Sequence, residues 1–142
     1  MCIRDRVKGV QAPEDAVRIK AAGADALYVS NHGARQMNAA PPAMTSIAPV
    51  RAAIGNEMPL IVDGGVRSGE HVIKAIASGA DFVMIGRSAM FGLGAAGAAG
   101  LADILDSFAR EASSVMGLAG KTGIGDIDTS CLAVAHGYSD GN

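Results

Sequence analysis

Two short stretches of this chain nearly repeat. Ala22-Gly23-Ala24-Asp25 leads into an apolar segment at 26–30, and Ser78-Gly79-Ala80-Asp81 leads into another at 82–85. The two glycines lie 56 positions apart, with one further strand-and-helix unit between them. That spacing gives a repeat of about 28 residues, which suits βα units stacked side by side in a parallel sheet.

The remaining patterning agrees with this period. A short strand ends at Val7-Lys8-Gly9-Val10, although Arg4, Asp5 and Arg6 interrupt the apolar run that a buried parallel strand needs. Pro13, Glu14 and Asp15 suit a helix N-terminus, and Gly23 suits its end. After the strand at 26–30 comes a long polar loop through Pro41 and Pro42, then a helix over 48–54 with Pro49 in its first turn and Gly55 ending it. A strand at 60–63 precedes a helix capped by Ser68, with Val72, Ile73 and Ile76 as its apolar side. After the strand at 82–85, Leu101, Ile104, Leu105, Phe108, Ala112, Val115 and Met116 mark the most regular amphipathic helix. These are four βα units. A complete eight-stranded barrel takes about 250 residues, so the chain supplies half of one, or else a small doubly wound sheet. Polar motifs follow each strand in succession rather than gathering at one switch point, which favours the barrel half.

Composition narrows the function classes. Hydrophobic residues make up 49% of the 142 and the net charge is −2, with no basic run, so a core can form and nucleic acid is not an expected partner. Cys2 and Cys131 have no metal-ligand spacing, which fits a reducing, cytoplasmic setting. The first residues lack the apolar core of a signal peptide, and the longest uncharged run, 88–102, is too short and glycine-rich for an integral span. Peripheral membrane association stays open.

Chemistry-bearing residues fall just after the strands. Ser30-Asn31-His32-Gly33-Ala34-Arg35 brings a titratable ring and a guanidinium to a strand's carboxyl end. That pairing suits a small organic acid. Asp63-Gly64-Gly65-Val66-Arg67 and Gly86-Arg87 follow the next two strands, where open glycine backbone and arginines can hold a phosphate. Lys8 points toward the same edge. Gly92-Leu93-Gly94-Ala95-Ala96-Gly97 matches a dinucleotide fingerprint by spacing alone, since it does not sit on a strand-to-helix turn. His71 and His136 read as surface residues, and Asp103, Asp106 and Glu111 as a solvated helix face.

Together, Val7-Lys8-Gly9, residues 30–36, residues 63–69 and Ile85-Gly86-Arg87 resemble the FMN-dependent α-hydroxy-acid oxidase/dehydrogenase family. The resemblance implies an α/β fold that is the C-terminal half, the last four βα units, of an FMN-binding (β/α)8 TIM barrel. It also implies oxidation of an (S)-2-hydroxy acid to a 2-oxo acid. By that resemblance His32 is the active-site base and binds substrate together with Arg35. Lys8, Ser30, Asp63, Gly64, Gly65, Val66, Arg67, Gly86 and Arg87 hold FMN, Lys8 and Ser30 beside the flavin ring and the residues from Asp63 onward at its ribityl phosphate end. The expected organisation is an atypical start over 1–6, the half-barrel over 7–128 and a flexible tail over 129–142. The expected partner is a small 2-hydroxy acid, and the family implies a homo-oligomer. A half-barrel without its other units is expected to be a piece of a longer protein, inactive alone. A non-catalytic FMN- or phosphate-binding half-barrel, or another FMN barrel such as a flavin-dependent isomerase, are the alternatives.

Overall fold

The computed structural model describes residues 4–133. Four strands, β1 (Arg6–Val10), β2 (Ala26–Val29), β3 (Leu60–Val62) and β4 (Phe82–Val83), form one parallel sheet in sequence order. Helices α1 (Pro13–Ala21), α2 (Ala43–Ile54) and α3 (Gly69–Ala77) connect them, and α4 (Arg87–Leu118) follows β4. The half-repeat has a physical cause. Asp25 Oδ2 accepts the Asp5 N–H at 2.7 Å and Asp81 Oδ2 accepts the Leu60 N–H at 2.7 Å. Each aspartate thus pins the start of the strand before its own, Asp5 just ahead of β1 and Leu60 at the head of β3, and the glycine two positions earlier (φ +90° at Gly23, +108° at Gly79) ends the preceding helix.

The register separates two faces. Leu27 pairs with Leu60, and Val29 with Val62 and then Val83. These residues pack with Ala16, Ile47, Val50 and Ile54 into the main core. The row Lys8, Tyr28, Ile61, Phe82 lies on the other face, which none of the described helices covers. Phe82 is 65% exposed there. β1 keeps both faces correct by a bulge between Lys8 and Val10. Gly9, at φ +96°, absorbs the extra residue, so Val10 enters the core opposite Val29 while Lys8 stays on the open face.

Several elements differ from the sequence reading. α2 begins at Ala43, not 48. Pro42 precedes it with φ −58° and ψ 136°, and its carbonyl accepts both the Thr45 N–H and the Thr45 hydroxyl. Pro49 therefore sits inside the helix, on its solvent side, while Ala43, Ser46, Ile47, Val50 and Ile54 make the buried stripe. β4 is only two residues long. The glycines at 92–97 lie within α4, which breaks at Ala96 and Gly97. Gly92 and Gly100 then pack so closely that a Cβ on either would meet the other's carbonyl.

By length and composition α4 is long and apolar enough to cross a membrane. Its break divides it, however, and its second limb packs on α3. That packing explains two further differences. A Cβ at Gly69 would strike the backbone of Phe108 and Ala112, and the Glu111 carboxylate accepts the Gly69 N–H at 2.7 Å. Glu111 thus caps α3 from a helix face that stays exposed. Residues 129–131 were expected in a tail. They form a 3-10 turn, and Cys131 and Leu132 pack with Ile73, Ala77 and Ile127. His136 lies outside the described residues.

Candidate active site

The carboxyl ends of the four strands open into a cavity of about 290 Å³. Every candidate residue except Ser30 lines it, and Ser30 lies directly beneath, buried. Gly33, Met84, Ser88 and Met90 also line it. Met84 could have been found from strand alternation. Ser88 needed the helix start to be known.

On one side stands a polar network. The Lys8 ammonium donates to Ser30 Oγ at 2.7 Å and lies 3.1 Å from Asp63 Oδ2. The Ser30 hydroxyl donates to Asp63 Oδ1 and accepts the His32 backbone N–H at 3.1 Å. The Tyr28 hydroxyl donates to Asp63 Oδ2 at 3.0 Å, with the Lys8 ammonium 4.8 Å from the centre of its ring. Burial, and then the neighbouring Asp63 carboxylate, push the Tyr28 phenol well above its ordinary pKa. Asp63 was expected among the phosphate-holding residues. It lines the cavity, with its two oxygens engaged by Lys8, Ser30 and Tyr28.

His32, Gly33 and Ala34 form a left-handed turn, with φ of 56°, 68° and 60°. Two residues other than glycine in this region cost about 1–3 kcal/mol each, and the surroundings must hold them there. The Asn31 side chain accepts the Gly33 N–H at 3.1 Å, and Ser30 holds His32 from below. The turn leaves the His32 and Arg35 side chains exposed at the cavity. His71, read as a surface residue, is half-buried and accepts the Arg67 N–H at its Nδ1, 3.3 Å away.

On the other side, Gly64 and Gly65 both have positive φ, +105° and +79°. Ser88 Oγ donates to the Val66 carbonyl at 3.3 Å and ties this turn to the start of α4. Gly86 supplies no side-chain cap there, so the first N–H groups of the helix remain available to an anion. Nothing lies within 4 Å of where a Cβ would stand on Gly65 or Gly86. Arg67 and Arg87 add positive charge, and the Arg87 guanidinium reaches to 3.9 Å from the Cβ position of Gly33. An open glycine cradle, an uncapped helix start, two arginines and a lysine across the cavity fit the phosphate and the ring edge of a flavin nucleotide.

The model of a family described as FMN-dependent dehydrogenase matches residues 5–134. The chain belongs to that family. It is 42% identical over 126 residues to an L-lactate oxidase of Lentilactobacillus hilgardii, which covers 89% of this chain and 34% of that relative. It is 44% identical to a 4-hydroxymandelate oxidase of Amycolatopsis orientalis, over 84% of this chain and 33% of the relative. Among solved structures, a lactate oxidase (putative) of Pediococcus acidilactici superposes with a TM-score of 0.86 at 43% identity, over 88% of this chain and 35% of that one. Mandelate oxidase with (S)-4-hydroxymandelic acid gives 0.84 at 42% identity, over 88% and 35%. The chain thus spans about a third of the length of these relatives. The family and these neighbours establish an α/β fold with a parallel sheet like that of the hydroxy-acid oxidase barrels, and FMN as the family's cofactor.

Proposed function

We propose that this chain carries the catalytic edge of an FMN-dependent enzyme that oxidises a 2-hydroxy acid to a 2-oxo acid, and that its four βα units are the C-terminal half of a (β/α)8 barrel. The observation that carries the first part is that His32 and Arg35 open onto the same cavity as the Gly64–Gly65 turn and the start of α4. The second rests on the uncovered sheet face and on relatives about three times as long. The phosphate of FMN would be held by Gly64, Gly65, Val66, Arg67, Gly86 and Arg87, with Lys8 and Ser30 toward its ring. When bound, FMN supplies the two-electron acceptor. Arg35 can take the substrate carboxylate through two parallel N–H bonds and so fix which face of the α-carbon is presented. A ring nitrogen of His32 takes a proton, either from the substrate hydroxyl or from the α-carbon. Lys8 would set a positive charge toward the ring end of the cofactor. A protein containing the remaining units would complete the site, and the isolated chain is expected to be inactive.

The test is an FMN titration of the chain followed by flavin fluorescence. Saturable binding is expected, with Arg87→Ala weakening it by about tenfold, the loss of one charge-assisted hydrogen bond. No binding at any concentration refutes the cofactor site as read. In a full-length enzyme carrying these residues, His32→Asn should lower hydroxy-acid turnover by ~10²–10⁴-fold while leaving FMN bound. Normal turnover would remove His32 as the base.

A further inference from the structure

We infer that Tyr28 is a positioning residue that fixes Lys8 through Asp63, and that its hydroxyl is what makes this lysine a stationary charge. The inference deepens the reading just given, since it concerns how the proposed cofactor-facing cation is held. Tyr28 sits one strand over from Lys8 and in register with it, on the face that none of the described helices covers. Its hydroxyl donates to the same Asp63 oxygen that pairs with Lys8. The Ser30 hydroxyl is saturated, accepting from Lys8 and the His32 N–H while donating to Asp63, so it has no donor left to hold Asp63 Oδ2. Lys8 is a flexible chain with a third of its side chain exposed, and the Asp63 carboxylate can rotate about its own bonds. Among the described residues, Tyr28 is the donor to Oδ2 other than Lys8 itself, and it is anchored on β2 in register with Lys8. It also lies beneath the ammonium as a cation–π floor. Through Ser30 the same chain of bonds reaches the His32 backbone, so one phenol steadies both the lysine and the base of the histidine turn.

The test is competitive acetylation at limiting reagent with mass spectrometry, which reports each of Lys8, Lys20, Lys74 and Lys121 separately and needs no flavin. In Tyr28→Phe the Lys8 rate should rise by about tenfold, the ratio for losing a hydrogen bond to a charged group, while the other three lysines keep theirs. An unchanged Lys8 rate in Tyr28→Phe, with a raised one in Asp63→Asn, overturns the inference. If Tyr28→Phe raises all four rates, the fold has been lost, and the unaltered chain decides instead. Its phenol absorbance, less that of Asp63→Asn, should show one tyrosine ionising at higher pH when Asp63 is intact. Coincident titrations overturn the inference. Because neither readout involves FMN, a chain that holds Lys8 but binds no flavin refutes the proposed function and leaves this inference standing.

Discussion

Gly64→Ala probes the joint between the phosphate turn and the histidine loop. Gly64 has φ +105°, where a side chain costs about 2 kcal/mol. An added Cβ would also stand 2.9 Å from Asn31 Oδ1 and 3.3 Å from the Ala43 Cβ. Asn31 must then turn away and give up the Gly33 N–H, a net loss of about 1 kcal/mol. The substitution should therefore destabilise by about 3 kcal/mol in total. Asn31→Ala alone should cost about 1 kcal/mol. The two must not add, because Asn31→Ala removes both the obstructing atom and the bond that Gly64→Ala breaks. The double variant should cost about 1 kcal/mol less than the sum of the two single costs. Urea unfolding followed by far-UV circular dichroism suits a chain without tryptophan. Strict additivity would mean that Asn31 is not in the way. A loss below about 1 kcal/mol for Gly64→Ala would refute the strained backbone itself.

Three further outcomes follow from the packing. Arg51 donates to the carbonyls of Gly79, Gly55 and Met58 and pairs with Asp81, so Arg51→Met should cost about 3 kcal/mol in the same unfolding assay, with Arg51→Lys recovering less than half because an ammonium lacks the fork. Glu111→Ala should cost about 1–2 kcal/mol by stranding the Gly69 N–H at the start of α3, and a change within error would refute the cap. The Tyr28 phenol is raised in the fold, so its contribution is complete below the unfolded value near pH 10 and declines as pH rises beyond it. Urea midpoints should fall more steeply above about pH 10 in the unaltered chain than in Tyr28→Phe, and parallel curves would refute the shift.

The βα order was legible because Gly23, Gly55 and Gly79 mark helix ends and the apolar runs between them are short. The family was legible because the polar residues after three strands keep their types and spacing. Boundaries were harder. Pro49 reads locally as a helix start, yet the stripe from Ala43 to Ile54 has a core to bury against and carries the helix past it. The break in α4 could not be read, since Ala96 and Gly97 are unremarkable until Gly92 and Gly100 must come together.

From sequence alone came the period, the parallel α/β class and the residue types at each strand end, because glycine stops, short apolar runs and polar strand ends are local patterns. Only the tertiary structure decided how those residues are used. Asp63 is held beside Lys8 because Tyr28 and Ser30 arrive from a segment more than thirty residues earlier. Glu111 becomes a cap because α3 lies 42 residues before it and presses against it. A side chain's partner across the fold depends on packing between distant segments, and no local pattern records that.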